Sequence, residues 1–240
     1  MHIKKLGTTR SYRELCGQFL CDGAKLLEEA VKSGAKITEV LTASRLTMTL
    51  PAETRVFFTA RDLIDSLSPL KNAQEVLFTC KMPQKKALTN IIGTNILLDG
   101  VQDPGNVGSI IRAAYAFNIQ TVILTGGCAD PYNPKTIRAT MGAIFRQRVC
   151  DAAFSELASL RRKGVRFVGA APDDACRDIS DVQLGNSVVA LGSEGRGLSE
   201  QVSGLCSEKF KIPTQPECES LNVATAAAII MWESTSASSG

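Results

Sequence analysis

Short apolar runs alternate along this chain with longer stretches of helical period, and three segments share one form. Asn95 to Phe117 reads N-I-L-L-D-G-V-Q-D-P-G-N-V-G-S-I-I-R-A-A-Y-A-F: a strand at Ile96–Leu98, a turn-rich loop, then a helix from Val107. Ser187–Leu191 is a β-branched run, and Gly192, Gly195 and Gly197 follow it, where the backbone is freed of side chains. Phe210–Ile212 is extended, Pro213 and Pro216 stiffen the next loop, and a small-residue helix begins at Leu221. Between them lie strands at Thr121–Leu124 and Val165–Ala170 and a helix over Phe154–Lys163. Such alternation predicts a parallel sheet with helices on both faces. In open sheets of this kind ligands bind at the loops that follow the carboxyl ends of the strands.

The first third of the chain has its own α/β pattern. Asp22 is the expected cap of a helix whose stripe is Leu26, Leu27 and Ala30 and which Gly34 ends. A strand at Ile37–Leu41, a helix over Ala60–Leu67 and a strand at Glu75–Cys80 complete a small domain, 1–84. Pro83 and the Lys85-Lys86 pair introduce a linker over 85–94, and a larger domain spans 95–234. The Ser-rich stretch 235–240 is expected to be a disordered tail.

Composition narrows the chemistry. Hydrophobic residues make up 44% and charged residues 21% of 240 positions, the balance of a globular protein. No apolar run is long enough to cross a membrane, and the basic N-terminus lacks an apolar export core, so a cytoplasmic location is expected. Eight cysteines without C-x-x-C spacing read as reduced thiols. The single histidine, His2, sits in a terminus expected to fray, which excludes a Ser-His-Asp or Cys-His triad and leaves no pattern for a metal. Net charge is +3, unevenly spread: residues 1–90 carry 14 Lys/Arg against 9 Asp/Glu, and the remainder 13 against 15. A basic first part suggests a polyanionic partner, and the charge split with Pro83 predicts that 91–240 folds alone.

Asn106-x-Gly108-Ser-Ile-Ile-Arg112-x-Ala114, Gly192-x-Glu194-x-x-Gly197-Leu198, and Ile212-Pro213 followed by Ser220-Leu-Asn222-Val together resemble the three motifs of the SpoU (TrmH) family. These are SPOUT-class RNA ribose 2′-O-methyltransferases that use S-adenosylmethionine. The resemblance implies a deep C-terminal trefoil knot and an active site formed across a homodimer interface. It assigns catalytic roles to Arg112, Asn106, Glu194, Ser220 and Asn222, and cofactor contacts to backbone at Gly192, Ile212 and Leu221; Thr125 and Gly126, at the end of the preceding strand, are expected to line the same pocket. The Pro-rich approach to a basic helix, Ala129 to Arg146, also looks like the family's, where Lys135, Arg138 and Arg146 would face RNA. Phe19-Leu-Cys-Asp-Gly23-Ala-Lys25 resembles the opening of the RNA-substrate-binding domain often fused before such catalytic domains, which favours ribosomal RNA over tRNA.

Plainer readings stand beside these. Asn106 is placed to cap its helix, and Arg112 to pair with a carboxylate. Glu194 is able to orient Arg112 or Asn106, or to brace glycine amides; Ser220 or Asn222 is able to cap the last helix. Rival functions are a tRNA or resistance-type rRNA methylase and, in another class, a non-catalytic RNA-binding protein. Methyl transfer to a hydroxyl is an in-line displacement that needs positioning and proton removal but no metal, in keeping with this set of residues.

Overall fold

The computed structural model describes residues 1–84, 88, 91–173, 175–215, 217 and 220–236, with the side chain of Ser236 excepted. The Lys85-Lys86 pair, Pro216, Cys218 and residues 237–240 of the expected tail lie outside them. In chain order the elements are α1 (His2–Thr8), α2 (Arg10–Cys16), β1 (Gln18–Asp22), α3 (Ala24–Lys32), β2 (Ile37–Thr42), β3 (Arg55–Phe58), α4 (Arg61–Leu67) and β4 (Val76–Lys81). There follow β5 (Asn95–Asp99), α5 (Pro104–Ala116), β6 (Thr121–Leu124), α6 (Pro134–Thr140), β7 (Val149–Asp151), α7 (Phe154–Arg162) and β8 (Arg166–Ala170). The last are β9 (Arg177–Asp178), β10 (Ser187–Gly192), α8 (Glu200–Ser203), β11 (Glu208–Lys211) and α9 (Val223–Ser236), which continues into the expected tail.

The chain forms two compact units, Met1–Gln84 with Asp130–Arg146, and Lys85–Ala129 with Gln147–Gly240. In the first, a four-stranded sheet runs β1-β4-β2-β3, with β4 antiparallel to both neighbours and β3 parallel to β2. Ile3, Leu6, Leu20, Leu41, Ile64 and Leu77 pack together as one core. Terminal fraying is not seen: His2 opens α1, its Nδ1 lies 2.9 Å from the Tyr12 hydroxyl, and its Nε2 lies 3.3 Å from Gln18 Oε1. Nor does Asp22 cap α3, whose N-cap is Gly23; the Asp22 carboxylate instead accepts from the Ser68 hydroxyl and the Gln74 amide.

The excursion 130–146 is an integral part of this first unit. Tyr132 packs on Phe19 with ring centroids 5.0 Å apart, and Phe145 reaches both Phe19 and Phe78. Arg13, 2% exposed, donates to Asp130 through Nε at 3.0 Å and Nη2 at 2.5 Å, and through Nη1 to the Leu6 carbonyl. Breaking so buried a pair typically costs about 3–5 kcal/mol because a charge is left without its partner. The expectation that 91–240 folds alone therefore meets a physical objection: it would carry this excursion without the surface that covers it.

In the second unit seven strands run β7-β6-β5-β10-β8-β11-β9, every neighbouring pair parallel. The central strands β5 and β10 are apolar and buried nearly throughout, as parallel strands covered on both faces must be. Leu97, Ile123, Leu157, Phe167, Val188 and Ala190 belong to one core. Helix α5 begins at Pro104, earlier than the pattern suggested, because Asp103 caps it by accepting from the Asn106 amide at 2.8 Å. No helix among the described residues is long and apolar enough to cross a membrane.

Candidate active site

Strand order decides which loops meet. β10 lies between β5 and β8, and β11 lies beyond β8, so the loops after β5, β10 and β11 share one end of the sheet. The loop after β10 folds back tightly, with the Gly197 amide donating to the Ser193 carbonyl at 2.9 Å. A Cβ on Gly192 would lie 1.9 Å from the Gly197 carbonyl carbon and 2.1 Å from its oxygen, so no side chain fits there. Gly197 has φ +63°, which also favours glycine. Gly195 has neither constraint, so the three glycines are not equivalent.

One hydrogen-bonded relay joins all three motifs. Asn222 caps α9, its Oδ1 accepting from the Ala224 amide at 2.9 Å and the Thr225 amide at 3.4 Å. That orientation turns its Nδ2 outward, where it donates to Asn106 Oδ1 at 3.1 Å. Asn106 Nδ2 in turn donates to Glu194 Oε1 at 2.5 Å. Because backbone amides fix the first amide group, the direction of every bond in the relay is determined. Asn106 thus serves Glu194 rather than capping its own helix, and Glu194 is oriented on Asn106 rather than on Arg112.

Arg112 stands elsewhere on α5. Six residues from Asn106, it lies about 120° further round the helix, on the exposed side, with no hydrogen bond or ion pair among the described residues. The reading in which it pairs with a carboxylate finds no partner among the described residues.

Two clefts flank the Ser193–Gly197 loop. The first has a volume of about 790 Å³ including its open mouth and is lined by Gly192, Ile212 and Leu221, together with Glu194 and Ser220. Its remaining wall is largely small or apolar: Ala170, Ala171, Leu191, Val223 and Ala226. Thr125 and Gly126 do not line it. They follow β6, which is separated from β10 by β5, whereas the cleft rests on the ends of β10, β8 and β11. Ala170–Pro172, at the end of β8 and just beyond it, also line the cleft; their signal in the sequence is the run of small residues after that strand.

A second cleft, about 1130 Å³ with its open mouth, lies on the other side of the loop and shares Ser193, Glu194 and Gly197 with the first. Its other walls are Gly100, Gln102, Gly126, Gly127 and Arg196. Asp99, 9% exposed and likewise unnoticed in the sequence, ties these loops together. Its Oδ1 accepts from the Thr125 hydroxyl at 2.9 Å and its Oδ2 from the Ser199 amide at 2.7 Å.

Of the cations expected to face RNA, Lys135 is exposed and makes no ion pair among the described residues. Arg138 instead lies 3.3 Å from Asp22 and donates to the Asn72 carbonyl, and Arg146 donates to Glu29 at 2.8 Å. The Arg146 hydrogen bond holds the Glu29 carboxyl below its ordinary pKa. Burial pushes the thiols of Cys150 and Cys206 up to about 11. Among the described residues no group of three or more His, Cys, Asp or Glu is arranged to hold a metal ion.

A parallel α/β sheet with a glycine-cradled cleft over its strand ends, and a substrate-binding domain in front, defines the class: residues 1–77 match the MRM3-like substrate binding domain. Residues 93–232 match the SpoU rRNA Methylase family, and the chain belongs to that family. It is 31% identical over 232 residues to the 23S rRNA (guanosine(2553)-2′-O)-methyltransferase RlmP of Bacillus subtilis, covering 95% of this chain and 92% of that protein. A solved structure of a TrmH-family RNA methyltransferase from Porphyromonas gingivalis superposes with a TM-score of 0.86 at 30% identity, over 98% of this chain and 97% of that one. The SpoU methyltransferase AviRb from Streptomyces viridochromogenes, solved with AdoMet, gives 0.87 at 27% identity, over 100% of this chain and 97% of that one.

Proposed function

We propose that this chain methylates a ribose 2′-hydroxyl of ribosomal RNA and works as a homodimer. It is an S-adenosylmethionine-dependent RNA 2′-O-methyltransferase, and the observation that carries the assignment is the first cleft with its relay. The cleft suits the cofactor. Its small apolar wall matches a purine face, and the Gly192 cradle, which a Cβ would fill, lets backbone atoms at Gly192, Ile212 and Leu221 meet the adenosine edge. When bound, S-adenosylmethionine supplies a sulfonium methyl whose C–S bond breaks as the C–O2′ bond forms, leaving a thioether and one proton.

The chain's own residues position and polarise. Glu194, held by Asn106, is the carboxylate common to both clefts, and it accepts a hydrogen bond from the ribose hydroxyl. Ser220 lines the cofactor cleft beside it. The guanidinium of Arg112 carries donors and no acceptor, so it acts as a donor to the 2′-oxygen or its phosphate rather than as a base. Its position about 120° round α5 from Asn106 favours service in the partner's site. Supporting a dimer, α9 is apolar on nearly all sides, and Ile229 and Trp232 on it and Tyr115 on α5 are exposed. The deep trefoil knot belongs to the same reading. RNA is approached through the basic N-terminal part.

The test is incubation with methyl-labelled cofactor and ribosomal RNA, followed by partial alkaline hydrolysis. Methylation removes the internal nucleophile of base cleavage, so one gap should appear in the ladder. An unbroken ladder with label on a free base would overturn the reading.

A further inference from the structure

We propose that the second cleft seats the nucleotide that receives the methyl group, with Gln102 and Arg196 as the residues that read it. The inference rests on the methyl-transfer reading above and goes on to assign the acceptor side. Transfer requires donor and acceptor atoms to approach to about 3–3.5 Å. The acceptor must therefore enter through a cavity that meets the cofactor cleft. The second cleft does so: its wall is the other side of the same loop, and Ser193, Glu194 and Gly197 face both.

Its construction suits a nucleotide. Gly100, Gly126, Gly127 and Gly195 leave backbone open to a flat ring. Both oxygens of Asp99 are already occupied by Thr125 and Ser199, and one oxygen of Asp103, Oδ1, accepts from the Asn106 amide. Gln102 and Arg196 are exposed and make no hydrogen bond or ion pair among the described residues. The Gln102 amide offers a donor and an acceptor side by side, the pattern that pairs with a base edge. Arg196 is the cation among the residues that line the cleft, and its planar fork fits a phosphate.

Cofactor affinity by calorimetry and methyl transfer to an unmodified 23S rRNA transcript separate the outcomes, with tRNA transcripts as a second probe. Gly126→Phe fills the cleft where a Cβ meets nothing within 4 Å. It should lower transfer at least about 100-fold while cofactor affinity stays within about 3-fold. Gln102→Ala and Arg196→Ala should each lower kcat/KM for RNA about 10-fold at unchanged cofactor affinity. Only Gln102→Ala should spread the label to neighbouring nucleotides. Loss of cofactor binding in Gly126→Phe, with the two alanine variants active, would assign the cleft to the cofactor and overturn the proposal. Wild-type turnover in all three would overturn it too, leaving the methyl-transfer reading intact. No label from the wild-type chain on either RNA would overturn that reading and this proposal with it.

Discussion

Replacing Gly192 with alanine is the sharpest test of how the first cleft, the proposed cofactor seat, is built. The new Cβ would lie 1.9 Å from the Gly197 carbonyl carbon, 2.1 Å from its oxygen and 2.3 Å from the Leu198 amide nitrogen. All three are backbone atoms, so no rotamer relieves the contact. Ordinary contact begins near 3.4 Å, so the loop must retreat by about 1.5 Å, an overpacking that typically costs about 1–3 kcal/mol. The retreating loop carries Glu194, and a displacement of about 1 Å at a positioned group can lower turnover about 100-fold. Gly192→Ala should therefore weaken cofactor binding and lower kcat at least about 100-fold while remaining folded. Gly195→Ala is the matched control, since a Cβ there meets nothing within 4 Å and φ is not left-handed. It should keep cofactor affinity within about 2-fold, as surface substitutions usually do. Calorimetry with S-adenosylmethionine and single-turnover transfer would measure both. A folded Gly192→Ala protein with wild-type affinity and rate would overturn this account of the loop, as would an equal loss of cofactor affinity in Gly195→Ala.

Arg112→Ala should lower kcat by about 100- to 1000-fold, as loss of one charge-stabilising donor does, with cofactor affinity within a few-fold; a large loss of affinity in a folded variant would show that the role is misassigned. Asn222→Ala removes both a helix cap and the relay, so it should lower stability by about 1 kcal/mol as well as turnover, whereas Asn106→Ala should lower turnover more than stability; equal thermal shifts in the two would argue against this division. Residues 91–240 expressed alone should bind hydrophobic dye and lack a cooperative melt, since Tyr132, Phe145 and Asp130 lose Phe19, Phe78 and Arg13; a sharp transition would show that the excursion holds its shape unaided. Cys150 and Cys206 keep their protons to about pH 11 in the fold against an ordinary value of 9.0, so the native state binds more protons between those values. Their contribution to stability is complete below about pH 9 and falls as pH rises toward 11; a double Cys→Ala variant with the same alkaline decline would discount it.

The three motif loops were legible because each couples a buried run of period near one residue type with glycines or prolines at its end, and such signals are local. What the sequence could not show was which loops meet. Thr125 and Gly126 follow a strand of the right kind, yet β5 stands between β6 and β10, and Gly126 lines the second cleft instead; β8, followed by Ala171 and Pro172 on the wall of the first cleft, slots between β10 and β11. Order within a parallel sheet is set by crossover connections and long-range packing, and no periodicity encodes it. The excursion 130–146 failed to declare itself for the same reason. Its Pro-rich entrance and basic helix read as a solvated RNA face, but the partners that neutralise Arg138 and Arg146 are Asp22 and Glu29, more than a hundred residues earlier. Charge counted along the chain therefore overstates what RNA can meet: in this segment Lys135 is exposed with no ion pair among the described residues, while the two arginines hold the first unit together. Site residues fared differently by kind. The tight turn at Gly192 and the helix cap at Asn222 were readable from loop chemistry alone, whereas the partners of Asn106 appeared only once Asn222 and Glu194 stood on either side of it.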